Sequence, residues 1–122
     1  MTAINRFILS RLRSIRFALD GLCFMLKTQH NARVHLALAV ITVILGLASG
    51  IARGDWLWIF LMIGLVWFAE AMNTAFEHLC DVVSPQFSED VRRAKDVAAG
   101  AVFICACLAV ITGLMIFLPY WM

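Results

Sequence analysis

Residues 56–81 read WLWIFLMIGLVWFAEAMNTAFEHLCD. The first part, 56–69, is uncharged, but as a helix it reaches only about 21 Å, short of a hydrocarbon core of about 30 Å. It crosses a bilayer only if the helix continues through Glu70, Asn73 and Glu77. That continuation decides the fold, because it makes the segment a membrane span whose last turns carry acids.

The rest of the chain agrees with this reading. Of its 122 residues, 63% are hydrophobic and 15% charged, where a soluble domain usually carries about 25% charged residues. Such apolar content excludes disorder. Four cysteines without framework spacing exclude a secreted disulfide scaffold, and a net charge of +2 argues against a nucleic-acid module. A small integral membrane protein remains.

Working outward, residues 36–52 are uncharged and reach about 26 Å as a helix, and residues 97–122 are uncharged and reach about 39 Å. The sequence predicts transmembrane helices over 31–51, 55–80 and 94–118, with Pro119 ending the last. Residues 1–35 hold six cations (Arg6, Arg11, Arg13, Arg16, Lys27, Arg33), and the 81–95 connection holds Arg92, Arg93 and Lys95. The positive-inside rule places both in the cytoplasm and the C-terminus outside, with Trp56, Trp58, Tyr120 and Trp121 at the outer interface. Ile4, Phe7, Ile8, Leu12, Ile15, Leu19, Leu22 and Leu26 fall on one helical stripe, which predicts an amphipathic surface helix over residues 1–28. All four segments belong to one domain, 1–122, of all-α class.

Cys23, Cys80, Cys105 and Cys107 read as small apolar packers, and a metal cluster with His30, His35 and His78 is the weaker alternative. Gly46, Gly50 and Gly54, and the ladder Ala101, Cys105, Ala109 and Gly113, read as faces for close helix approach. Three helices do not enclose a polar site alone, so an oligomer is expected.

Glu70, Asn73, Glu77 and Asp81 share one helix face through spacings of 3, 4 and 4. Carboxylates in line repel one another unless a divalent cation neutralises them, and hard cations take oxygen ligands. A plain solvated helix end accounts for Asp81 but poorly for Glu70, which sits at the hydrocarbon boundary. Pro85 stops the helix. Ser88, followed by Glu89 and Asp90, reads as the cap and acidic first turn of the next one. Lys95 and Asp96 then stand at the mouth of the last span. There is no Walker A box, GxGxxG or HExxH. Acids for metal, basic groups for phosphate and a carboxylate at the interface together suit metal-assisted phosphoryl transfer at a lipid headgroup. The alternatives are a proton-coupled transporter subunit relaying protons through Glu70 and a non-catalytic membrane scaffold.

The run EAMNTAFEHLCDVVSP at 70–85, then AKDVAAGAV at 94–102, with DGLCFMLKTQHNARVH at 20–35 upstream, resembles the prokaryotic diacylglycerol kinase and undecaprenol kinase family across nearly the whole chain. The resemblance implies a homotrimer in the bacterial cytoplasmic membrane, with ATP and Mg2+ as phosphoryl donor and a lipid alcohol, undecaprenol or diacylglycerol, as acceptor. By motif position it implies Glu70 as general base, Glu77 as metal ligand near the nucleotide, Asn73 and Asp81 as supporting residues, and Lys95 and Asp96 as nucleotide contacts. Two positions depart from the family pattern. Gln29 stands where the family places a second metal-binding glutamate, leaving an amide oxygen without charge. Ser10 aligns with the family's nucleotide-contacting arginine, with Arg11 and Arg13 as neighbours. Residues 31–35 and 78–85 look closer to the undecaprenol kinase branch.

Overall fold

A computed structural model describes residues 3–122. The chain folds into four helices: α1 (Ala3–Thr28), α2 (His30–Ser49), α3 (Arg53–Val83) and α4 (Glu89–Trp121). No strand occurs among the described residues. The first two residues of the predicted surface helix lie outside them. Helices α2, α3 and α4 are each long and apolar enough to cross a membrane. The all-α reading with three spans and a separate amphipathic helix therefore holds.

The apolar stripe of α1 is largely exposed, Ile4, Phe7, Leu12, Ile15 and Leu19 included. Only its last turns pack inward, where Met25 is buried and the Phe24 ring meets the His78 ring of α3 edge-on at 5.5 Å. An amphipathic helix whose apolar side lacks protein contact suits a lipid surface. A single residue, Gln29, breaks α1 from α2. Its backbone is extended (φ −101°, ψ 119°), while its N–H still donates to the Met25 carbonyl at 2.8 Å.

The turn between α2 and α3 corrects the expected glycine face. Gly50 caps α2 in the left-handed conformation (φ 62°), with bonds from Gly50 N–H to the Leu47 carbonyl and from Ile51 N–H to the Gly46 carbonyl. That is a Schellman ending, which favours glycine because it carries no Cβ. Gly46 alone serves close approach: a Cβ there would lie 2.8 Å from the Trp56 ring. Gly54 faces open space. The Ala109 and Gly113 rungs of the other ladder border a cavity between α2, α3 and α4.

Helices α3 and α4 overrun their predicted spans at both ends, while α2 stops two residues short of 51. Helix α3 ends at Val83 because Ser84, preceding Pro85, takes a non-helical conformation. Helix α4 begins at Glu89 because the Ser88 hydroxyl accepts the Val91 N–H at 3.5 Å, as its cap role predicts. Pro119, expected to end α4, lies inside it, and the helix continues to Trp121. Proline here has no N–H to donate to the Met115 carbonyl, and the residues after it are held from outside. The Tyr120 hydroxyl accepts the Ala52 N–H and donates to Asp55 Oδ2, both at 2.9 Å. Trp121 Nε1–H donates to the Ser49 hydroxyl at 3.0 Å. Beside this clasp, Ile51, Ile59, Ile116 and Phe117 form the buried apolar cluster, with Trp56 and Ile63 against it.

Candidate active site

Toward the other end of α3 the buried residues include three polar ones, Glu70, Asn73 and Thr74. Phe68 and Met72 turn outward, while Ala69, Glu70, Asn73 and Thr74 turn in, so the helix buries its acidic face there. Exposure rises along that face. Glu70 is 1% exposed and Asn73 6%, Glu77 is half-buried, and the Asp81 side chain is 64% exposed. The predicted face therefore runs from a desolvated carboxylate to open solvent over three helical turns.

The bonding along the face is uneven. Neither carboxylate oxygen of Glu70 has a hydrogen-bond partner. Its nearest basic group is His35 on α2, with Nε2 4.0 Å from Oε2, which is ion-pair range and beyond hydrogen-bond length. The Thr74 hydroxyl donates to the Glu70 backbone carbonyl at 2.8 Å, which fixes the helix and leaves the carboxylate alone. Asn73 Nδ2 donates to Glu77 Oε1 at 3.3 Å, and Asn73 Oδ1 is buried without a partner. Buried polar groups are nearly always paired, so three unpaired oxygens at one place form a set of acceptors suited to a polar or cationic ligand.

Helix α4 adds a cation to this face: Lys95 Nζ pairs with Asp81 Oδ1. Asp96 is not brought to the face. Its Oδ2 accepts from Arg92 at 3.1 Å on the exposed side of α4, and Arg92 also holds Glu89 at 2.6 Å. The guanidinium of Arg92 keeps the Glu89 carboxyl below the usual carboxylate range. Arg11 is likewise occupied on its own helix, donating to the Ser10 hydroxyl at 3.2 Å and lying 5.5 Å from the Phe7 ring centre. Gln29 is half-buried at the α1–α2 joint, and its side chain caps nothing.

Among the described residues, no group of three or more His, Cys, Asp or Glu converges as a metal cage. The Glu77 carboxylate and the orphaned Asn73 Oδ1 are adjacent hard-oxygen donors, so the residues fit an ion whose remaining ligands come from phosphate and water.

One residue of the site was missed by sequence reasoning as a partner of Glu70. His35 is the one titratable side chain in the apolar run 34–52, and an ionisable group inside a span is a functional candidate by default. It also borders the cavity of about 320 Å³ between α2, α3 and α4, which is otherwise lined chiefly by apolar side chains such as Leu38, Val66 and Phe117.

A family model described as prokaryotic diacylglycerol kinase matches residues 16–117. The chain is 36% identical over 116 residues to the undecaprenol kinase of Bacillus subtilis, covering 95% of this chain and 91% of that protein. It is 35% identical over 112 residues to a diacylglycerol kinase of Synechocystis sp., covering 87% of this chain and 61% of that one. A diacylglycerol kinase of Sinorhizobium sp. is 48% identical over 44 residues, 36% of this chain and 30% of that one.

Proposed function

The chain belongs to the prokaryotic diacylglycerol kinase family and is a membrane-embedded lipid kinase, and from that premise we propose that it transfers the γ-phosphoryl group of ATP to the hydroxyl of undecaprenol. The acceptor follows the relative that it matches over the greater share of both chains. Diacylglycerol is the second acceptor to try. The observation that carries the reading is Glu70: a carboxylate 1% exposed, free of hydrogen bonds, at the inner end of an acidic face that leads to a lysine at the surface.

In this reading the lipid keeps its tail in the bilayer and brings its hydroxyl to Glu70. The carboxylate takes the hydroxyl proton while the new O–P bond forms, and the bond from the γ-phosphorus to the ADP oxygen breaks, releasing ADP. A positioned base of this kind contributes about 10²- to 10⁴-fold. Glu77 and Asn73 Oδ1, with Gln29 from the α1–α2 joint, would hold Mg2+. When bound, the ion supplies charge neutralisation on the phosphates. Lys95 exchanges its Asp81 partner for nucleotide phosphate, and Asp81 holds it in place between turnovers. Asp96 and Arg11 contact the nucleotide after leaving their present partners. The active form is a homotrimer, with the N-terminus and the 81–95 loop cytoplasmic and the C-terminus outside.

Glu70→Gln tests the reading, since the amide keeps the shape and loses the basicity. Its kcat is expected to fall about 10²-fold or more with folding unchanged. Lipid phosphorylation at the parental rate would exclude Glu70 as the base.

A further inference from the structure

A carboxylate that acts as a base needs one oxygen aimed at the substrate, and an unanchored one swings about its terminal torsion. Among the described residues, the only basic group facing Glu70 from another helix is His35. Its side chain is 16% exposed, and its Nε2 lies 4.0 Å from Oε2. The other polar groups of the face are engaged elsewhere: Asn73 Nδ2 with Glu77, Thr74 with a backbone carbonyl and Lys95, farther along it, with Asp81. His35 also borders the cavity between α2, α3 and α4, so it stands between that apolar space and the carboxylate.

We propose that His35 is a positioning residue for Glu70: its Nε2–H holds Oε2 on the α2 side and leaves Oε1 for the acceptor hydroxyl. The inference rests on Glu70 being the base. Closing the gap by about 1 Å makes a hydrogen bond, and an imidazole bearing a proton on Nε2 is sufficient for it. When the hydroxyl proton arrives at Oε1, Oε2 still accepts from His35, so no proton passes to the imidazole. The role is orientation, and a misplacement of about 1 Å at a reacting group costs about 10²-fold.

Two variants separate the donor from the volume. His35→Gln keeps an N–H within similar reach, and His35→Leu keeps bulk without a donor. With Mg-ATP and undecaprenol in mixed micelles, kcat is expected to fall about fivefold for His35→Gln and about fiftyfold for His35→Leu. KM for ATP stays within about twofold of the parent for both. If both variants hold kcat within twofold, or if KM carries the change instead, the proposal is overturned. Thermal unfolding gives a readout independent of turnover. His35→Leu is expected to lower Tm in the parental background and to lower it by less than half as much beside Glu70→Gln, because the group it serves is gone. Equal shifts in both backgrounds would mean no coupling and would overturn the proposal. Should His35→Leu fail to fold, His35→Gln in the same two backgrounds answers both questions. Should the parental protein label no lipid, the kinase reading fails by itself, and the positioning role fails with it. The Tm cycle then decides only whether the two side chains pair.

Discussion

Asp55 and Glu70 are carboxylates on the same helix, and the protein treats them in opposite ways. Asp55 receives the Tyr120 hydroxyl, which in turn receives the Ala52 N–H, while Trp121 ties to Ser49 beside them. The apolar cluster of Ile51, Ile59, Ile116 and Phe117 packs against that end. Glu70 is the more buried of the two, yet both of its oxygens and one of Asn73 lack partners. An unpaired buried polar group costs about 1–3 kcal/mol, and more when charged. The Asp55 end therefore holds the three spans together, and the Glu70 end gives up stability to keep acceptor groups open. Both ends are acidic and both touch α4, so charge alone does not mark the site. Lack of satisfaction does.

The contrast can be broken by making each end behave like the other. At the Glu70 end, Glu77→Gln is expected to raise the magnesium needed for half-maximal activity about tenfold or more, since a charged oxygen ligand becomes a neutral one. A magnesium titration of initial rate that overlays the parent would remove Glu77 from the metal. At the Asp55 end, Tyr120→Phe deletes the two clasp bonds of the Tyr120 hydroxyl and is expected to cost about 1 kcal/mol. This appears as a Tm lower by a few degrees in detergent, with kcat within about twofold of the parent. A large loss of rate at unchanged Tm would mean that the clasp serves chemistry. The smallest change is expected from Gln29→Glu, which adds a carboxylate at the α1–α2 joint. Half-maximal magnesium should fall about twofold, and a clear rise would separate Gln29 from the metal.

The spans were legible because charge is costly in lipid: sorting ten cations and eight anions along the chain separates apolar stretches from polar connections. The acidic face was legible because spacings of 3 and 4 fix one side of any helix. What escaped depends on contacts between helices. Helix α2 is apolar nearly all round, so its sequence does not say which side meets α3, and the approach of His35 to Glu70 follows only from the fold. Pro119 reads as a stop in isolation and is carried inside α4 because Tyr120 and Trp121 are anchored to the α2–α3 turn. Gly50 reads as a packing glycine by spacing and is a helix cap by backbone angle. Asp96 reads as standing at the mouth of the last span, and its pairing with Arg92, one helical turn away, follows only from the fold.

The most direct measurement supplies purified protein with Mg2+ and ATP labelled at the γ-phosphate, in mixed micelles containing undecaprenol and diacylglycerol, followed by lipid extraction and identification of the product. Label is expected chiefly in undecaprenyl phosphate. Label chiefly in phosphatidic acid would contradict the acceptor, and no labelled lipid from folded, trimeric protein would contradict the proposed phosphoryl transfer.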